Sequence, residues 1–413
     1  MLPRDHAVGM RRRSVLYALA ASGALSSVSA CLTTGTEDVP AGDPSERPAR
    51  QHAWNDLLER DDHGNVRLPE RHAFLWLSYV GADRSADRDR MAGALTDLER
   101  AYRAGSDGLL FTVGYSPAYF ARYDEPLEGV DLPPAGPLHD GEHVATDDAD
   151  VLVHLASDHL GAVQEAARVL LDGGEANGTA VRSLSDVVTI VRRREGFVGG
   201  GLPAENDANL QGLPEGSVHE DAPTFMNFRS GLRRTQAPED RVTIEEGRFA
   251  GGTTQHVELL RLQLQEWFDH PPAQQIAHLF APDLDVEDVG EYGERLADHN
   301  GVEPVDERGL REVVAEHGVV GHAQKLARFR EDGRPPILRR DVTSADNGEA
   351  GMVFVSLQRD VADFRALRLA MEGLDLAAET AVGERRDNGI LQYLRNRHRG
   401  NFLIPPRELR ALP

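Results

Sequence analysis

A nearly unbroken apolar run at 72–80 (His72-Ala73-Phe74-Leu75-Trp76-Leu77-Ser78-Tyr79-Val80) has the pattern of a strand buried on both faces. Over 83–103 the period changes: Met91, Leu95, Leu98 and Tyr102 recur at helical spacing, and Gly105 supplies a stop. The next apolar runs, 108–114 and 150–155, predict two more strands on either side of a Pro- and Gly-rich loop at 126–146. A helix at 160–171 and a strand at 186–191 complete the order strand–helix–strand–strand–helix–strand. That order is a ferredoxin-like unit, an antiparallel sheet with helices on one face. Residues 199–250 are polar and rich in glycine and acid, and read as a long excursion. A second unit opens with 257–267, carries a strand at 352–357 and a helix at 360–374, and closes with a strand at 401–404. The predicted fold class is α+β, with tandem ferredoxin-like units over 71–198 and 251–413.

Composition adds a habitat to this outline. Hydrophobic residues make up 40% of the 413 and aromatics 6%, enough for a packed core and too much for a disordered chain. The formal charge is −23, and of the 45 basic residues only Lys325 is a lysine. Excess acid with lysine almost absent points to a protein adapted to molar salt, where carboxylates hold water and hydrated cations. Their mutual repulsion is screened there over a Debye length of roughly 3 Å. A nucleic-acid partner is disfavoured, because phosphate binding needs a basic footprint that this chain lacks.

The N-terminus explains the lone cysteine, Cys31. A basic cluster, Arg11-Arg12-Arg13-Ser14-Val15-Leu16, precedes a short, mild apolar run and then small residues, which is the layout of a signal peptide. A spanning helix would need about 20 strongly apolar residues. The pair Arg12-Arg13 with Ser14-Val15-Leu16 resembles the twin-arginine address, read by the machinery that exports folded proteins. Val28-Ser29-Ala30-Cys31 resembles a lipobox, in which cleavage leaves Cys31 as the lipidated first residue, anchored to the outer face of the cytoplasmic membrane. Removal of residues 1–30 would leave 41 basic and 67 acidic residues, a charge of −26. Residues 31–70, Thr-, Gly-, Pro- and acid-rich without apolar periodicity, read as a disordered tether. Asn177-Gly178-Thr179 forms a sequon permissive for glycosylation.

Several segments, in order from about 70 to 407, resemble the dye-decolorising peroxidases. Phe111-Thr112-Val113-Gly114-Tyr115-Ser116-Pro117 is similar to that family's second strand and turn, and 150–158 to its third strand. Gly196-Phe197-Val198-Gly199-Gly200 sits where the family carries its GxxDG motif. Leu357-Gln358-Arg359-Asp360 resembles its Phe-Gln-Arg-Asp motif, and Phe402-Leu403-Ile404-Pro405-Pro406 its last strand. Gly321-His322-Ala323-Gln324-Lys325 resembles the segment of the axial histidine, and Ile337-Leu338-Arg339-Arg340 that of the distal arginine.

The resemblance implies the tandem fold of the dimeric α/β-barrel superfamily. It also implies haem b on His322, Arg339 over the open face, hydrogen peroxide and an organic reductant as substrates, and a homo-oligomer. Such chemistry needs a proximal imidazole, a proton carrier on the distal side and an arginine to stabilise charge on the departing oxygen. Two departures weaken it. Gly199 replaces the motif's aspartate, and Glu258-Leu259-Leu260-Arg261 stands where the family has an arginine-rich strand. Glu195, Glu205 and Asp207 are the nearby carboxylates that could substitute. Two hypotheses therefore stand: an exported haem peroxidase-like enzyme, and a non-catalytic tethered lipoprotein that keeps the fold with or without haem. A Gly199→Asp substitution is expected to separate them. No HExxH or phosphate loop occurs, and His154 and His159 read as solvated, so zinc-enzyme and nucleotide readings are poor.

Overall fold

The computed structural model describes residues 39–123, 127–147 and 149–413. Arg12, Arg13 and Cys31, and with them the export-signal and lipidation readings, lie outside the described residues. Strand β1 (Arg71–Tyr79) is followed by helix α1 (Arg84–Ala101), β2 (Leu110–Tyr115), β3 (Val151–Ser157), α2 (Leu160–Asp172) and β4 (Val188–Phe197). The pairing order β4-β1-β3-β2, antiparallel throughout, is that of a ferredoxin-like unit.

The second half repeats the plan. Strand β5 (Thr253–Leu262) is followed by α3 (Pro272–Leu279), α4 (His322–Ala327) and two short strands, β6 (Leu338–Arg339) and β7 (Val342–Ser344). Then come β8 (Gly351–Gln358), α5 (Val361–Glu372) and β9 (Leu394–Ile404). Its order is β9-β5-β8-β7. The halves meet at both edges: Leu403 of β9 pairs with Tyr115 of β2, and Thr343 of β7 with Phe197 of β4. The sheet thereby closes on itself, which leaves no long edge between the halves.

Closure explains why β1 is apolar without alternation. Ala73, Leu75, Leu77 and Tyr79 pack under α1 and α2 with Met91, Leu95, Val153 and Leu170. Phe74 and Trp76 point into the barrel against Leu152, Val257, Val355 and Phe402. Side chains of a strand alternate between faces, and here both faces are buried. The capping of α1 is local and legible: Asp83 accepts from the N–H groups of Ser85 and Ala86.

Three expectations are corrected. From Val39 onward the supposed tether is packed on the barrel. Trp54 is buried beneath the Arg340 guanidinium, 4.1 Å from its ring centre, and Gln51 exchanges hydrogen bonds with the backbone of Val113. Trp54 and Leu58 join Leu110 and Ala156 in a small apolar cluster, and polar side chains bonding across the fold complete the attachment. The excursion at 199–250 also enters the core: Phe225, Met226, Phe228 and Leu232 pack with Trp267 and Phe280. His154 is not solvated but buried, stacked 4.1 Å from Phe74 and bonded to His72. The amide of Asn177 is engaged inside the fold too, donating to the carbonyls of Val39 and Ala101. No helix among the described residues is long and apolar enough to cross a membrane.

Candidate functional site

His322 is the first residue of α4, and glycine sets it there. A Cβ on Gly321 would lie 1.9 Å from the Phe280 carbonyl oxygen just past α3, so only glycine lets α4 begin against that end. Gln324 caps the turn by accepting from the Gly321 N–H at 3.1 Å. One turn on, Lys325 is wholly buried. Its ammonium donates to Asn388 O (3.0 Å), Asn388 Oδ1 (2.6 Å) and the Met371 carbonyl. This pins the 384–391 loop behind the histidine. Burial pushes the lysine down to about 7.

His322 opens into a cavity of about 840 Å³, within the range of small-molecule and cofactor sites. Met226, Phe228, Phe280, Leu326, Ile337 and Phe354 supply much of its apolar wall. Burial, followed by the charges of Lys325, Arg339 and Arg368, holds His322 well below the usual histidine range, so its imidazole is neutral. Its Nδ1 is buried and bonds to no protein atom. A neutral imidazole on such a wall can ligate a metal through a ring nitrogen. Three lining arginines bond carbonyls or amides: Arg330 to Val302 O and Asn300 Oδ1, Arg385 to Leu391 O and Leu394 O, Arg395 to Gln392 O. Cationic groups so placed suit an anionic ligand. The donor set therefore matches a large, mainly apolar group with a Lewis-acidic centre and anionic arms.

Arg339 lines the same cavity. It is placed by Gln236, which donates to Arg339 O at 3.0 Å and accepts from Arg339 N at 2.9 Å. Arg339 also contacts a residue that sequence reasoning missed. Its Nη1 lies 3.3 Å from Asp341 Oδ2, and Ser230 Oγ donates to that same oxygen at 3.1 Å. Asp341 Oδ1 is buried and unpartnered. Burial raises this carboxyl, against the opposing Arg339 charge and Ser230 bond. The signal was present in the period-two spacing: Arg339 and Asp341 share one side, while Arg340 turns to Glu239 and Trp54.

A second, polar cleft of about 950 Å³ adjoins the first, and Arg229, Ser230, Arg339 and Asp341 line both. Gly199 lies in this cleft and not in the His322 cavity. Its φ is +147°, and a Cβ would meet Leu202 Cδ1 at 3.2 Å. The Gly199→Asp test is therefore compromised by backbone strain. Glu195, Glu205 and Asp207 line neither space.

A barrel of two ferredoxin-like halves is the fold of the dye-decolorising peroxidases. The chain is similar to the dye-decolorising peroxidase of Bacteroides thetaiotaomicron, with 16% identity, 87% of this chain and 99% of that one covered, and a TM-score of 0.55. A variant of DypB from Rhodococcus jostii RHA1, solved in complex with haem, is 17% identical over 88% of this chain and 98% of that one, with a TM-score of 0.54. The encapsulated peroxidase of this type from Mycobacterium smegmatis is 16% identical over 84% and 96%, with a TM-score of 0.54. These likenesses show the fold. By sequence the chain belongs to a family of unknown function (DUF7405), whose model matches residues 69–406. No curated protein matches it.

Proposed function

We propose that the chain is an exported, haem b-binding, peroxidase-like protein with His322 as axial ligand. The observation that carries this is the neutral His322 imidazole on the wall of an apolar cavity of about 840 Å³ that also holds Arg339. Haem, when bound, supplies the iron that takes up peroxide and the electrons that break its O–O bond. His322 would hold that iron, Arg330, Arg385 and Arg395 would neutralise the propionates, and the apolar wall would keep bulk water out. Arg339 fixes the peroxide and stabilises the charge that develops on the departing oxygen. An organic donor returns the electrons. Haem-bearing relatives of the same fold support this reading.

Arg12-Arg13 and the Cys31 lipobox support export in the folded state and a lipid anchor on the outer face of the cytoplasmic membrane. A Cys31→Ser chain is expected in the soluble fraction; retention at the membrane would exclude that anchor. The runner-up, a non-catalytic lipoprotein that keeps the fold, is favoured by Gly199, where the resemblance calls for a carboxylate.

The deciding experiment is the visible spectrum of the mature chain, expressed in high salt with haem supplied, beside His322→Ala. A Soret band in the parent that is lost in the variant is the expected result. No band in either overturns the haem reading.

A further inference from the structure

Heterolytic cleavage of hydrogen peroxide moves a proton from the inner oxygen to the outer one, which requires a group that can both accept and return it. A guanidinium has donors and no acceptor, so an arginine cannot do this. Among the described carboxylates lining the His322 cavity, Glu142, Glu258 and Glu372 are held in ion pairs with Arg399 and Arg368. Asp140 and Glu384 are exposed. Asp341 remains, with its buried and unpartnered Oδ1, beside Arg339 and at the junction of the apolar cavity with the polar cleft. Small polar molecules would reach the cavity past that junction.

We propose that Asp341 is the proton carrier of this cavity, working as a pair with Arg339 in place of the carboxylate that position 199 lacks. The inference rests on the haem reading above. The Asp341 carboxylate takes the proton of the inner peroxide oxygen and passes it to the outer oxygen. The O–O bond breaks with an electron pair drawn from the haem, and the outer oxygen leaves as water. The inner oxygen leaves as a second water once the organic reductant has returned two electrons and two protons have been taken up. Arg339 Nη1 and Ser230 Oγ orient the carboxylate through Oδ2. Arg229, the other charged group lining both spaces here, is itself paired with Asp61. The raised carboxyl of Asp341 holds a proton more firmly than an exposed aspartate would.

The test uses the haem-loaded full chain in its parent, Asp341→Asn and Asp341→Glu forms. The Asn variant is expected to keep its Soret band and to react with peroxide roughly 10²- to 10⁴-fold more slowly, with Glu recovering part of the loss. Cyanide association, in which hydrogen cyanide must give up its proton without any turnover, is expected to slow in Asn and recover in Glu. Parental rates of both reactions in a haem-bearing Asn variant overturn the proposal and leave haem binding intact. Absence of a Soret band in the parent overturns the haem reading and this proposal with it. Should Asn fail to take up haem, Ser230→Ala decides. It removes the bond to Oδ2 and a long contact from Arg339 Nη1, so the acid limb of the peroxide-rate profile must move to higher pH, and an unmoved limb overturns the proposal.

Discussion

Gln236 grips Arg339 by both backbone groups, donating to its carbonyl at 3.0 Å and accepting from its N–H at 2.9 Å. The contact spans 103 residues and mimics a missing strand neighbour, because β6 is only two residues long and pairs on its other side with Ser356 and Leu357 of β8. Replacing Gln236 with leucine removes both bonds at a half-buried site. The expected cost is about 1–3 kcal/mol in the denaturation midpoint. Haem uptake should persist while peroxide reactivity falls, because Arg339 loses its placement and His322 does not. Equal loss of both would show that Gln236 supports the whole cavity rather than this arginine.

The legible and illegible parts of the molecule divide along physical lines. β1, β3 and α2 could be read because long apolar runs leave few alternatives, and β1 is buried on both faces. Barrel closure could not, since it runs through single pairings such as Thr343 with Phe197 and through strands of two or three residues. Neither could the packing of 39–70, where Trp54, Gln51 and His52 are held by Arg340, Val113 and Thr243 from distant parts of the chain. His322 and Arg339 were reached through a family resemblance alone, and the structure brings them to one cavity. Asp341 was passed over because an aspartate after two arginines reads as solvated charge. Its two-residue spacing puts it on one side with Arg339, and burial then marks it out.

Gly321 is expected to be intolerant of any side chain. Alanine there would place its Cβ 1.9 Å from the Phe280 carbonyl, which is backbone and cannot swing aside. Either α4 or the end of α3 must shift, and His322 shifts with α4. Gly321→Ala should cost about 1–3 kcal/mol and abolish or blue-shift the Soret band of the haem-loaded chain. A parent-like spectrum would show that the imidazole position does not depend on this contact.

Lys325 is the sole lysine of the chain, and it is buried. Methionine fills a similar volume but leaves the Met371 carbonyl and both oxygens of Asn388 without their donor. Lys325→Met should therefore destabilise by about 3 kcal/mol or more. Loosening should begin in the 384–391 loop, where a side chain on Gly389 would come within 3.0 Å of His322 Cα. Hydrogen exchange of this loop measures it directly, and unchanged protection there would refute the pinning role.

Acid should unfold this protein through its histidines before its carboxylates. Burial pushes His72 down to about 4 and His52 to about 3, and holds His154 well below the usual range. His72 Nε2 donates to the Pro69 carbonyl, which fixes its tautomer, so its Nδ1 accepts from His154 Nε2 at 2.9 Å. A proton on His72 would set two donors face to face. The unfolded chain takes up these protons near pH 6.5, whereas the folded chain takes up that of His72 near 4. Between those values the unfolded state binds more protons, so stability falls as pH falls, by about 3 kcal/mol from His72 alone. Glu99 behaves differently: burial opposes its ionisation, but hydrogen bonds from Arg407 and Arg410 prevail and hold it low. Its contribution is lost only below the ordinary carboxylate range. The melting temperature in molar salt should thus drop between pH 6.5 and 4, since buried groups escape screening. A profile flat to pH 4 that then collapses would assign acid lability to the arginine–carboxylate pairs instead.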